Sequence, residues 1–456
     1  MNTLLFVALL TGFSLVYFIL GLFASRTTKT TNDYFLAGRN LSLASVTFTL
    51  IATQLGGGML LGTSQEAYKI GIFGILYTLG MSLGFLILGC GLASRLQSLQ
   101  IATTAQIFEI NYQSTALKKI ASILSILTLF GLLIGQMVAS RTIIISLGIN
   151  NELIFILFWL FVIGHTMMGG LQSVAITDFY QVLYIIITFG GIFIYSIARL
   201  PGSLAQLIPS ATQATAFLQA DLSLSTAVSI LLMPALFSLI EQDLAQRFFS
   251  ARTKQVAAFS ALLASLFLLT FALIPIYFGI QAKILGLALP ANASPLIPVI
   301  SHLTNDWVVA FALCGIIAAI SSTADSLLCA ISSNVAQDFD LGAIGLKSSL
   351  RSSQLLTLGI GLAAFIASYL VPQNIISILI GSYELSVSCL FIPLIIGYYN
   401  TNLNKNAAFG SVIAGLFGFV FFKLYPIGIP KELAALALSA LGYVIGAQIK
   451  PFTGKV

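Results

Sequence analysis

Asp325 lies within Ala318-Ala319-Ile320-Ser321-Ser322-Thr323-Ala324-Asp325-Ser326, deep in a long apolar stretch. A charged carboxylate at the centre of a helix in hydrocarbon costs about 2.5–3.5 kcal/mol on insertion scales, so such residues are kept for a function or a partner. Ser322 and Ser326 are four residues apart on one helical face, with Asp325 beside it. Two hydroxyls, a carboxylate and nearby backbone carbonyls make a hard-oxygen donor set for a small cation. A serine can bond back to its own helix, but that does not account for the acid. Ion binding is the stronger reading. Three more acids interrupt apolar stretches. Asp178 follows Gly169-Gly170-Leu171-Gln172-Ser173-Val174-Ala175-Ile176-Thr177, where a helix start favours a carboxylate through the dipole and a functional role is equally open. Glu241 and Glu384 could meet a cationic part of a solute, hold a proton or pair with a buried donor.

The elements that must carry these residues follow from hydropathy. Apolar residues make up 58% of the 456 positions and only 7% are charged, with a mean hydropathy of +1.02. Soluble domains carry roughly 25% charge, so this chain reads as one all-α membrane domain over 1–456. Apolar runs long enough to cross about 30 Å of hydrocarbon fall at 3–24, 43–66, 71–95, 119–147, 152–169, 174–199, 224–246, 256–286, 306–336, 352–371, 374–398, 407–424 and 432–449. About thirteen transmembrane helices are expected. Most of the 20 Lys and Arg residues then fall on one side, which places the N-terminus outside and the C-terminus in the cytoplasm of a cell (inner or plasma) membrane. The net charge of +6 is scattered singly between apolar runs and excludes a nucleic-acid partner. Cys90, Cys314, Cys329 and Cys389 all sit in apolar runs and read as small core residues. His165 and His302 are far apart and read as structural. The first 25 residues lack the basic start of a signal peptide and read as a retained helix.

Two of the expected helices look broken. Gly56-Gly57-Gly58 sits mid-span, and a broken backbone is tolerated at that depth only inside protein or beside a wet cavity. Close helix packing through small residues is the competing account of glycine there. In the seventh span Pro234 lies seven residues before Glu241-Gln242-Asp243. Interruptions five helices apart fit an inverted five-plus-five repeat whose unwound helices form a binding site. The repeats would cover 43–199 and 224–398, after a leading helix at 3–24 and before two trailing helices in 407–449.

Asp33-Tyr34-Phe35-Leu36-Ala37-Gly38-Arg39 ahead of the glycine-broken helix resembles the sodium:solute symporter family. So do Gly169-Gly170 leading to Thr177-Asp178 and Gln181, the stretch from Gln242 to Gln246-Arg247, and the serine-rich ninth span. The resemblance covers most of 26–400 and implies a leucine-transporter-type fold working by alternating access. By position it implies a sodium site of the Ala52, Leu55 and Ala319 carbonyls with the Ser322 and Thr323 hydroxyls. A second ion site, found in part of the family, would draw on Asp178, Ser322, Asp325 and Ser326, so that one or two sodium ions are the only cofactors implied. The solute-reading positions would be Gln54, Gly57, Met59, Glu241, Asp243 and Glu384. Ala52–Gly58 with Gly62-Thr63 is similar to the choline-transporter branch, yet Gln54 and Glu241 stand where that branch has the tryptophans of its cation–π cage. The sugar branch's polar positions fall on Gly58 and Met59, and its gating tyrosine on Asp243. The resemblance therefore implies sodium-coupled import of a small polar solute, an amine or amino acid by preference. A proton-coupled carrier on the same fold and a transporter-like sensor are the alternatives. No Ser/His/Asp set, His-rich metal site or phosphate loop appears, so no enzyme is expected.

Overall fold

The computed structural model describes residues 3–146, 152–200, 204–207, 224–289, 293–344, 349–371, 375–425 and 429–449. Lys347, Lys450 and Lys455, which entered the charge asymmetry, lie outside them. Regular structure in the described residues is helical, apart from one isolated bridge between Leu41 and Ala251.

Helix α1 (Thr3–Ser25) leads and is mostly exposed. The short α2 (Thr31–Leu36) begins at a capping box in which Thr30 accepts from the Asp33 N–H and the Asp33 carboxylate accepts from the Thr30 N–H. Helix α3 (Leu43–Gln54) is N-capped by Ser42, ends at the glycine triplet and resumes through a wide turn at Gly58–Gly62 into α4 (Thr63–Ile70). There follow α5 (Leu76–Ile87), α6 (Ala93–Ser98), α7 (Gln106–Ile110), α8 (Thr115–Ser146) and α9 (Glu152–Arg199). The second half of the chain holds α10 (Leu224–Ser238), α11 (Gln242–Ser250), α12 (Lys254–Phe271), α13 (Leu273–Ile284), α14 (Leu296–Leu303) and α15 (Asp306–Asp338). Last come α16 (Leu350–Ala367), α17 (Ile375–Tyr399), α18 (Lys405–Leu424) and α19 (Lys431–Gln448).

Ten helical runs among the described residues are long and apolar enough to cross a membrane. The difference from the expected number has local causes. Helix α9 is one continuous run of 48 residues over two expected spans, turned back at Gly170 with φ 56°. A Cβ there would strike the Tyr34 carbonyl and ring, so only glycine permits the turn. Helix α3 is too short to count alone, and Lys431 and Glu432 occupy the first turn of α19.

The break in the seventh expected span is displaced from its proline. Helix α10 runs through Pro234 to Ser238, and the chain unwinds at Leu239–Glu241, where Glu241 is extended (φ −65°, ψ 127°) at the start of α11. Unbroken α15 is the buried pillar of the bundle, packed by α8, α9, α3, α11 and α16. Cys314, Cys329 and Cys389 are buried, but Cys90 is exposed, against the core role expected for it.

Candidate ion and solute site

Helix α3 frays where it touches α15. The Ser322 hydroxyl lies 3.1 Å from the Ala52 carbonyl and 2.9 Å from that of Ala319. The Thr323 hydroxyl lies 3.0 Å from the Thr53 carbonyl, 3.3 Å from Ala52 and 3.2 Å from Ala319. Two hydroxyls carry two protons, yet three carbonyls converge on them, so oxygen lone pairs exceed donors. That surplus suits a small hard cation. Leu55, the fifth expected member, is fully buried at the end of α3, and its own N–H is spent on the Ile51 carbonyl. Gly56 must be glycine, because a Cβ would come within 2.6 Å of Thr323 Oγ1 and 2.9 Å of Gln136 Oε1.

Members of the expected second ion set each have partners of their own. Thr49 donates to one Asp178 oxygen at 2.5 Å, and the other, Oδ1, has no protein partner. Ser326 receives the Arg247 guanidinium at 2.5 Å and exchanges a 3.0 Å hydrogen bond with Thr53. Asp325 faces the other way. It accepts from the Thr166 hydroxyl, and its second oxygen lies 3.8 Å from Nδ1 of His165, whose Nε2 meets the Ser173 hydroxyl at 3.2 Å. His165, expected to be structural, therefore adjoins the most informative acid. A cavity of about 20 Å³ there is lined by Asp325, His165, Gln181 and Ser321, with Phe13 and Tyr17 of α1 across it.

The solute-reading positions gather beside this region. A cavity of about 30 Å³ is lined by Gln54, Met59, Glu241, Asp243 and Thr323, between the α3 break and the α10–α11 break. Gln54 Nε2 lies 3.5 Å from Glu241 Oε2. The Gly57 N–H, freed by the break, donates to Gln136 Oε1 of α8 at 3.0 Å. Sequence reasoning passed over Gln136, although it stands as the lone amide in Leu132-Leu133-Ile134-Gly135-Gln136-Met137. Tyr77 and Tyr383, also passed over, join hydroxyls at 2.9 Å and line the same cavity.

Glu384 is not in that cavity. It pairs with Lys431 at 2.9 Å on the wall of a wide chamber of about 490 Å³. Gly58, Tyr77 and Leu379 line both spaces and form the partition between them. The wide chamber opens near Glu66, Thr226 and Lys431, at one end of the bundle. The opposite end is sealed by hydrogen bonds. Arg39 donates to the Gln100, Ile101 and Phe249 carbonyls. Gln242 pairs with the Thr104 N–H and the Ala102 carbonyl, Gln246 with the Phe35 carbonyl, and Thr103 donates to Asp338 at 2.6 Å.

Two interrupted helices meeting mid-bundle beside an unbroken polar one, open at one end and latched at the other, define a secondary transporter. The chain belongs to the sodium:solute symporter family, which it matches over residues 34–415, and it is an integral membrane, sodium-coupled symporter rather than an enzyme. It is similar to a Na+-coupled sialic acid symporter in a substrate-bound outward-open state, with a TM-score of 0.78 at 18% identity over 98% of each chain. It is also similar to Mhp1, a nucleobase-cation-symport-1 family transporter, in a closed conformation with bromovinylhydantoin bound, with a TM-score of 0.61 at 12% identity over 92% of this chain and 96% of that one. At these identities the likenesses establish the leucine-transporter-type fold alone. The osmoregulated proline transporter OpuE of Bacillus subtilis (strain 168) is 29% identical over 178 residues, which span 36% of this chain and 36% of that relative.

Proposed function

We propose that this symporter imports a small amine-bearing solute, an amino acid or simple amine, which binds between the two helix breaks with its nitrogen at Gln54, Glu241 and Asp243. The observation that carries this reading is the approach of Gln54 to Glu241 at 3.5 Å across a cavity whose described lining includes no lysine or arginine. Two carboxylates border the cavity, and Arg247, the buried cation behind them, is bonded to the Asp243 carbonyl and to Ser326 rather than to either carboxylate, which favours a cationic group in the cavity. The described lining also lacks tryptophan, which argues against a quaternary ammonium cage. The similarity to OpuE, a proline transporter by description, is consistent with a secondary amine.

Sodium, in this reading, sits among the Ala52, Leu55 and Ala319 carbonyls and the Ser322 and Thr323 hydroxyls. There it ties α3 to α15 and fixes the shape of the broken segment that borders the solute. Asp178, with one unpaired oxygen, is the acid placed for a second ion, and Asp325 belongs to a separate cluster with His165. With the N-terminus outside, the wide chamber faces outward, and the Tyr77–Tyr383 pair separates it from the solute. Coupling is reciprocal, so each ligand tightens the other by the same factor.

A thermal-shift screen of amino acids, simple amines, choline and sugars, with and without sodium, tests this. An amine that stabilises the protein only with sodium present supports the reading. Stabilisation by a sugar alone, or by any solute equally in potassium, overturns it.

A further inference from the structure

Below the sodium-binding carbonyls, α15 continues as a buried polar stripe. Ser322, Ser326, Asn334 and Asp338 recur at multiples of four residues, so the stripe winds round the helix by about 40° at each four-residue step. All four are buried, none more than 3% exposed. The stripe ends beneath the sealed mouth, where Thr103 holds one oxygen of Asp338.

Several polar atoms here have no hydrogen-bond partner in the protein. They are both amide atoms of Asn334 and the hydroxyl of Ser333, while Oδ2 of Asp338 has only the Ser122 hydroxyl of α8 beside it. Burying such groups unpaired costs roughly 1–3 kcal/mol each, so a cluster of them at the end of an ion-binding helix is not neutral packing. Each of these residues supplies an oxygen acceptor, and one of those acceptors is a carboxylate. That is the donor chemistry of a hard monovalent cation. At Ser326 the stripe meets Arg247, a fully buried fixed cation bonded to that serine, whose charge is felt at Cys329 one turn further on. Arg247 belongs to α11, and Gln242 of the same helix grips the 102–104 strap that covers Asp338.

We infer that Asp338, with Asn334 and Ser122, forms a second, transient sodium site at the sealed mouth, which receives the ion after it leaves Ser322 and Thr323. One movement of α11 both withdraws the Arg247 charge from the stripe and releases the strap, so the site becomes reachable only when that end opens. Asp338 then exchanges its bond from Thr103 for the ion. The inference rests on the sodium position proposed above, and its test does not depend on uptake.

The test uses Asn334→Cys in the full chain with Cys90, Cys314, Cys329 and Cys389 replaced by alanine. Inside-out vesicles are exposed to a membrane-impermeant methanethiosulfonate in potassium or sodium chloride. Labelling is expected in potassium, with protection by sodium. Asp338→Asn should raise the half-protecting sodium concentration about tenfold, whereas Thr103→Val, which frees the carboxylate, should lower it. Absence of labelling in the folded protein overturns the inference. So does an unmoved midpoint in Asp338→Asn, or a shift of both variants in the same direction, which would mark the strap alone. Failure of the sodium position at Ser322 and Thr323 appears separately, as unchanged sodium dependence in Ser322→Ala and Thr323→Ala.

Discussion

The hydroxyl of Ser322 lies 3.1 Å from the carbonyl of Ala52, across 270 residues of chain. This contact joins the unbroken helix of the bundle to the broken one, with oxygens whose geometry a sodium ion could take over. A ligand bound there acts on the shape of the α3 break directly.

Removing either hydroxyl should therefore weaken sodium before it weakens the fold. Ser322→Ala and Thr323→Ala are expected to raise the sodium concentration for half-maximal uptake about tenfold, with solute KM rising in parallel when sodium is limiting. Uptake measured across a sodium series checks this.

Glu241 should dominate recognition of the solute nitrogen. A hydrogen bond to a charged group contributes about 1.5–3 kcal/mol, so Glu241→Gln is expected to raise solute KM about 10- to 100-fold. Gln54→Ala should cost less. Competition against a labelled solute in proteoliposomes gives both values.

The partition between the chambers hangs on the Tyr77–Tyr383 hydrogen bond of 2.9 Å. Losing one neutral bond removes about 1 kcal/mol net, so Tyr383→Phe should speed solute release toward the wide chamber about fivefold. Its sodium dependence should stay as it was. Rapid-dilution dissociation measurements separate the two effects.

Gly170→Ala supplies a contrast. The turn at φ 56° and the collision with Tyr34 predict a stability loss of about 1–3 kcal/mol or more, seen as a lower melting temperature. The half-saturating sodium concentration of the surviving folded protein should not move.

Hydropathy alone exposed the membrane domain, because bilayer thickness fixes how long an apolar helix must be. The Gly56–Gly58 break was equally legible, since three glycines leave a helix without side-chain support. The break at Leu239–Glu241 was not. Its residues are ordinary, and tertiary contacts of Glu241 and Gln242 decide where the chain unwinds while Pro234 stays helical. The Gly170 reversal hid for a related reason: hydrogen bonding passes through a single positive φ, so two crossings merge into one run. Ser322 could be singled out by its spacing from Ser326, and Thr323 by the family resemblance, but the direction in which Asp325 points could not be read from either. That depends on Thr166 and His165, about 160 residues away in sequence. Glu384 likewise kept three readings open, among them a paired donor, and Lys431, the first residue of α19, is that donor.

Helix α1 is mostly exposed, packing mainly along α9 and α15, yet Phe13 and Tyr17 face the cavity of Asp325 and His165. Without that helix, the acid and the imidazole would border hydrocarbon, where an ionised carboxylate draws in water and thins the bilayer around it. The leading helix is thus the dielectric jacket of a buried acid. It lets polar chemistry lie close to the rim of the bundle without the membrane short-circuiting through it.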